Sequence, residues 1–403
     1  MRKWRIASEE EILAGKTTDV YFQHTADILR AEGIDPIVHA EVTVSEMPFD
    51  GPWGIVAGIN DALKLFEAKR LDVYGLPEGT LFHPRDRNGV RTPVLTIEGP
   101  YSEFTVMETP MLGFICHTSG MVTRTARLRR AAGERILLSF GARRTHPAIT
   151  PQVEYAAYIG GCDGVSCVLG GELLGIEASG TMPHALVISF GDQVRAWRAF
   201  DKHISKDIPR IAIADTYSDE VIESISAAES VDSLNGVRLD TPGSRKGSFR
   251  EIIQEVRWKL DLRGFEDVKI FVSGGLDEKE IMKLRDVPVD GYGVGGAISN
   301  SPAVDFAMDI VALKEGDDWK PAAKRGKFSG RKGVWICTRC GATHMALKGL
   351  PVKKCKTCGG KAELKTVSLI EGGNIVHEPR SPSQIREYIL EQTARVSEQE
   401  NED

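Results

Sequence analysis

No run of about 18 or more apolar residues occurs in the sequence, so no segment is long enough to cross a bilayer as a helix. The opening residues, MRKWRIASEEE, lack the apolar core of a secretory signal. Positive charge is not in excess: 51 Lys and Arg stand against 57 Asp and Glu, a net charge of -6. With a pI near 5.9 there is no global reason to expect nucleic acid as a partner. Cysteine is too scarce for a disulfide framework. There are seven, an odd number, and four sit in two CxxC pairs, which suits a metal in a reducing compartment. A soluble, cytoplasmic protein without a membrane partner is expected. At 403 residues the chain is long for one core, so two or three domains are expected.

What the sequence does contain is one form, repeated. A short apolar run ends in a small cluster of glycine, arginine, aspartate, serine or histidine. RILLSFGARRTHP, GGCDGVSCVLGG and GTMPHALVISFGD lie between residues 135 and 192, and RIAIADTYSDE, NGVRLDTPG, VKIFVSGGLDE and VDGYGVGG follow. Apolar runs bounded this way read as buried strands feeding functional loops. Helical patterns follow at least three of them. That is βα repetition, and it predicts polar chemistry at the carboxyl ends of parallel strands.

Ahead of these units, residues 1 to about 110 read as mixed α and β. A helix is expected near Val20–Ala31, entered through Thr17, Thr18 and Asp19. IVHAEVTVSEMP and PVLTIEGPYSEF alternate as half-buried strands do. Glu108 to Ala132 reads as one long helix, with Pro110 in its first turn and Gly133 as its stop. Its Arg124, Arg127, Arg129 and Arg130 read as a solvated or partner-facing edge. The repeated units run on to a helix expected at 302–313. The basic stretch KPAAKRGKFSGRKGV reads as a solvated connection, with Lys324, Arg325, Lys327, Arg331 and Lys332. Ser381-Pro382-Ser383-Gln384 reads as the capped start of a last helix with Ile385, Ile389 and Val396 as its apolar stripe. The acidic end SEQENED is expected to fray.

Several strand-end residues could carry chemistry. Arg143 and Arg144 after Phe140 could fork onto a phosphate, with the phenylalanine as a face for stacking a ring; equally, they could be a core Phe and two surface arginines. Gly274-Gly275 after Ser273, and Gly293, Gly295 and Gly296, leave backbone N–H groups bare for a phosphate, though glycine pairs also simply make turns. Asp215, Asp240 and Asp290 could hold Mg²⁺ or sugar hydroxyls, or cap helices. Arg238 and Asp240 are two apart on one strand and so point the same way. His184 follows Thr181-Met182-Pro183, and a lone histidine is as readily structural as catalytic. Together these residues fit an enzyme acting on a phosphorylated sugar.

FGARR, GTMPHA, VRLD, FVSGGLDE and GYGVGGAIS, with TTDVYF and AKRGKFSGRK, resemble nicotinate phosphoribosyltransferase, above all the archaeal-type form with an appended zinc module. The resemblance implies an N-terminal α/β sandwich domain at 1–110 and an irregular α/β barrel of the type II phosphoribosyltransferase kind at 111–320. A basic linker and a small four-cysteine zinc module would occupy 321–370, and a helical tail 371–403. It implies that nicotinate and phosphoribosyl pyrophosphate give nicotinate mononucleotide and pyrophosphate, with Mg²⁺, often driven by ATP through a phosphorylated histidine. His184 matches that histidine, and Phe140 the residue stacking on the pyridine ring. Tyr21 matches the tyrosine closing the other side, supplied in the family by the partner subunit of a homo-oligomer. Arg143 and Arg238 match phosphate- and base-facing arginines, and Asp240, with Asp215 beside it, the carboxylate near the ribose and Mg²⁺. Ser273, Gly274 and Gly275, with Gly295 and Gly296, match the loops taking the ribose 5-phosphate. Nicotinamide phosphoribosyltransferase places an aspartate near the substrate amide; here the position aligns with the neutral Ser166 or Cys167, which favours nicotinate. Quinolinate is the other alternative base. One departure stands after VRLD, where Thr241-Pro242-Gly243 replaces the usual serine-glycine.

Cys337, Cys340, Cys355 and Cys358, as two CxxC pairs fourteen residues apart, are the spacing of a closed structural zinc site. His344 reads as a possible fifth donor or a bystander, and Cys116, Cys162 and Cys167 as scattered buried residues. The module's lysines and the basic arm before it keep a rival reading open, a zinc-ribbon nucleic-acid binder. That reading leaves the ordered strand-end residues unexplained.

Overall fold

The computed structural model describes residues 2–48, 51–241, 244 and 248–396. The chain divides into two compact units, Met1–Thr123 with Pro302–Asp403, and Arg124–Ser301. The division falls inside the helix Glu108–Ala132, whose bounds are those read from the sequence and which stops at Gly133 with φ +63°. Among the described residues no helix is long and apolar enough to cross a membrane.

The first unit is built on a seven-stranded antiparallel sheet in which Ile37–Glu46 pairs with Asp305–Glu315 on one side and with the central strand Pro93–Pro100 on the other. Alternation sends Val38, Ala40, Val42 and Val44 into an apolar core with Leu95, Ile97, Phe104, Met111 and Ile115. The other face is not solvated, as half-buried strands would have it. His39, Glu41 and Thr43 are buried as well. Carboxylates buried there need cations, and the basic stretch supplies them. Arg331 forks onto Glu98 with two 2.8 Å hydrogen bonds, Lys332 Nζ lies 3.0 Å from Glu41, and Lys327 and Lys324 reach Asp309 at 2.5 and 3.1 Å. The expected solvated connection is therefore a charge-matched cover on the sheet.

Residues 302–313 do not form the expected helix either: the chain is strand over Asp305–Glu315. Met308, Ala312 and Leu313 are sound helix formers, but pairing along the whole of Ile37–Glu46 outweighs that local preference. The helix Val20–Glu32 is present with Asp19 at its N-cap, although the Asp19 carboxylate takes the Thr109 hydroxyl at 3.2 Å instead of capping. The last helix, Pro382–Thr393, starts with a capping box between Ser381 and Gln384 and buries Ile385 and Ile389. Ser397–Asp403, expected to fray, lie outside the described residues.

The second unit holds six parallel strands in the order Gly164–Val165, Ile136–Ser139, Gly291–Val294, Lys269–Ser273, Gly236–Leu239, Ile211–Ile213. Around this curved sheet strands consecutive in the chain are neighbours, save that the second and third are not paired with each other and form its two edges. The parallel strands are those expected from βα repetition, and the architecture is the irregular α/β barrel that the resemblance implies. The segment between those edges carries His184. The arginines of the long helix are not a solvated edge. Arg127 is 5% exposed, Arg124 and Arg127 lie 3.6 and 3.7 Å from Glu278, and Arg129 binds Asp163 at 2.8 Å.

Candidate active site

Phe140, Ser166, Asp215, Asp240, Ser273 with Gly274-Gly275, and Gly295-Gly296 all stand at or just beyond the carboxyl ends of the six strands. Asp290 does not join them. It precedes its strand at the amino end, where its carboxylate accepts the Ile270 N–H at 2.7 Å, a structural role.

Three of the predicted residues meet directly. His184 begins the helix His184–Phe190, and its Nε2 lies 3.4 Å from Asp215 Oδ1 and 4.0 Å from Asp240 Oδ2. Its Nδ1 is 3.1 Å from the Thr216 hydroxyl. The two carboxylates are held together by the Asp240 N–H, which donates to Asp215 Oδ2 at 2.5 Å. Burial pushes the Asp215 pKa up to about 6, against that hydrogen bond and the nearby His184. Ser273 Oγ donates to Asp240 Oδ1 at 3.0 Å. Asp215 Oδ1 is buried without a hydrogen-bond partner, so the pair has oxygens to offer a hard divalent cation, and the donor set fits Mg²⁺.

Arg238 points to the same side as Asp240. Its Nη2 donates to the Met182 carbonyl at 3.0 Å, and its guanidinium carbon lies 5.8 Å from the Phe140 ring centroid. Burial pulls its pKa down, the two aspartates pull it up, and the like charge of Arg143 adds to the lowering. Two guanidiniums that feel each other beside an aromatic face make a place for an anionic ring. Gly293 lies within its strand and not in a phosphate loop. A Cβ there would collide with the edge of the Phe140 ring, so its bareness is what admits the ring. Gly274 and Gly275 adopt φ +96° and +67°, and a Cβ on Gly274 would come within 2.8 Å of Asp240 Oδ1. Tyr21 belongs to the first unit, on its helix Val20–Glu32, and is 57% exposed.

Four supporting residues escaped the sequence reading. Besides Thr216, Glu223 accepts the N–H groups of Thr216, Tyr217 and Ser218 at 2.6–2.9 Å and so shapes the turn after Asp215. Glu220 takes the Thr241 hydroxyl at 2.9 Å. Pro242 and Gly243 of the departing loop lie outside the described residues. Glu154, fully buried, holds the Ser166 turn. The available signals were slight: two glutamates in a helix's first turn, and one charge in the otherwise uncharged TPQVEYAAYI.

In the first unit, the sulfurs of Cys337, Cys340, Cys355 and Cys358 lie within 4.8 Å of one another and could hold a metal ion. The Arg339 and Thr357 N–H groups point at Cys337 and Cys355 Sγ from 3.4 and 3.3 Å, as thiolates require. His344 is no distant bystander: it is buried, with Nε2 3.2 Å from Cys355 Sγ.

Residues 19–119 and 121–309 match the N-terminal and C-terminal domains of quinolinate phosphoribosyl transferase. Barrel and strand-end site thus define an enzyme of the phosphoribosyltransferase class. The crystal structure of nicotinate-nucleotide pyrophosphorylase from Pyrococcus furiosus is 49% identical and superposes with a TM-score of 0.93, covering 98% of this chain and 99% of that one. Nicotinate phosphoribosyltransferase pncB2 of Mycobacterium tuberculosis is 29% identical over 355 residues, 79% of this chain and 74% of that protein. Human nicotinic acid phosphoribosyltransferase, 20% identical, shares the fold with a TM-score of 0.73 over 96% of this chain and 95% of that one. The chain belongs to the nicotinate phosphoribosyltransferase family.

Proposed function

We propose that this protein joins nicotinate to phosphoribosyl pyrophosphate, giving nicotinate mononucleotide and pyrophosphate for NAD synthesis. The observation that carries the reading is the convergence of Phe140, Arg238, Asp215, Asp240 and His184 at one end of the barrel. The pyridine nitrogen is the nucleophile and needs no base. Its lone pair forms the bond to the ribose carbon as the bond to pyrophosphate breaks. Phe140 stacks on the ring, with Tyr21 of a partner subunit on its other side, which makes the working form a homodimer or larger assembly. Arg238 faces the nicotinate carboxylate and Arg143 a phosphate. Ser273 to Gly275 and Gly295-Gly296 receive the 5-phosphate on bare N–H groups. Asp240 and Asp215 would hold Mg²⁺, which neutralises charge on the departing pyrophosphate when bound. Positioning and charge then supply the catalysis.

ATP coupling is a further part of the proposal. His184 would accept the γ-phosphoryl group, with the N–P bond forming as ADP leaves, and hydrolysis would later restore the free imidazole. The four cysteines would take Zn²⁺ in a closed, structural site. The setting is cytoplasmic. The nucleic-acid reading is weakened at its basic arm, because Lys324, Lys327, Arg331 and Lys332 are matched by Asp309, Glu98 and Glu41 of their own unit.

Incubation with nicotinate and phosphoribosyl pyrophosphate should release equal amounts of nicotinate mononucleotide and pyrophosphate, and ATP should raise the yield. His184→Ala should abolish the gain from ATP while leaving residual turnover. Absence of product from the wild type would remove the reading, and an unchanged ATP response in the variant would remove the phosphohistidine.

A further inference from the structure

The sequence left the edge of the base pocket neutral, at Ser166 and Cys167. The structure sets a carboxylate directly behind it. Glu154, on the helix Thr150–Ile159, is 0% exposed. Its Oε1 alone accepts three hydrogen bonds, from the Ser166 N–H and hydroxyl, both at 3.1 Å, and from the Cys167 N–H at 2.9 Å. Its Oε2 is buried without a partner. A buried carboxylate with one oxygen unsatisfied is a poor way to stabilise a helix, since an apolar residue of similar size would serve better. What it does instead is fix a turn.

That turn is next to the site. Val165 pairs with Ser139, so the residues just beyond them, Ser166 and Phe140, leave neighbouring strands side by side. Donation to Glu154 also settles the Ser166 hydroxyl: its hydrogen points back into the protein, and oxygen lone pairs are left toward the pocket. Gly170 completes the clamp. A Cβ there would lie 2.8 Å from Glu154 Cβ and 2.9 Å from its Cγ, so only glycine lets the glutamate stand where it does.

We propose that Glu154 is a positioning residue for the base: through Ser166 it fixes the pocket edge beside Phe140, and so sets affinity for the pyridine substrate. This rests on the function proposed above. Glu154→Gln keeps the shape but replaces charge-assisted hydrogen bonds with neutral ones. The KM for nicotinate should rise about tenfold, while kcat and the KM for phosphoribosyl pyrophosphate stay within about twofold. Gly170→Ala, which displaces the glutamate without altering its chemistry, should raise the same KM, and it carries the test if the first variant does not fold. A folded variant with unchanged nicotinate KM, or one whose kcat and both KM values move together, overturns the proposal and leaves Glu154 a structural residue. Wild-type protein that makes no nucleotide from any pyridine base overturns the function, and this role with it.

Discussion

Gly293→Ala tests the site with a single methyl group. Its Cβ would collide with Cε2 and Cδ2 of Phe140 and stand 3.2 Å from Ser273 Cβ. Carbon atoms rest about 3.5–4 Å apart, so the ring must retreat by about 1 Å. Overpacking of this kind costs about 1–3 kcal/mol of stability. If Phe140 stacks on the reacting base, a shift of that size should lower kcat/KM for nicotinate by up to about 100-fold. Gly291→Ala is the control on the same strand. Its Cβ would meet Phe271 at 2.6 and 2.7 Å and Ile136 Cβ at 3.1 Å, at the amino end of the barrel. It should cost similar stability without loss of base affinity. Steady-state kinetics with varied nicotinate and thermal melting of both variants give the comparison. Equal loss of kcat/KM in the two, or full activity in Gly293→Ala, would refute the stacking role of Phe140.

Three other outcomes are expected. Asp215 carries a folded pKa raised to about 6 from 3.8, so its ionised form opposes folding at high pH. Asp215→Asn should therefore melt above the wild type at pH 8, with the difference shrinking as pH falls through 6 and vanishing below about 4, when unfolded aspartate is neutral too. Lys332→Ala leaves Glu41 charged in a site where their side chains are 7% and 3% exposed. Urea unfolding should show a loss of about 3–5 kcal/mol. Purified protein should contain one Zn²⁺ per four-cysteine cluster by atomic emission; chelation should lower the melting temperature, because Val334 and Ile336 of the same ribbon belong to the first unit's core.

Much of the barrel was legible because its signals are local. Each strand is a short apolar run, and the residue ending it stands at the strand's mouth; Phe140, Asp240 and Ser273 can be placed that way from the sequence alone. The helix Glu108–Ala132 could be bounded by its own proline and glycine. What stayed hidden depends on partners far along the chain. Lys332 looks solvated until Glu41, some three hundred residues earlier, is brought beneath it. Residues 302–313 read as helix until Ile37–Glu46 offers Asp305–Glu315 an edge to pair with. Glu154 is one charge on a helix, and nothing near it in sequence shows that it points at Ser166. Gly293 and Asp290 were misplaced for the opposite reason: glycine and aspartate serve loops so often that a ring's clearance and a strand-start hydrogen bond go unread.

The most direct test of the central claim is competition among bases. Purified protein, phosphoribosyl pyrophosphate and Mg²⁺ would be given equal nicotinate, nicotinamide and quinolinate, and the nucleotide products resolved by mass. Nicotinate mononucleotide alone, with no carbon dioxide released from quinolinate, is the predicted result. Nicotinamide mononucleotide as the main product, or consumption of quinolinate ahead of nicotinate, would contradict the account of the pocket formed by Phe140, Arg238 and Ser166.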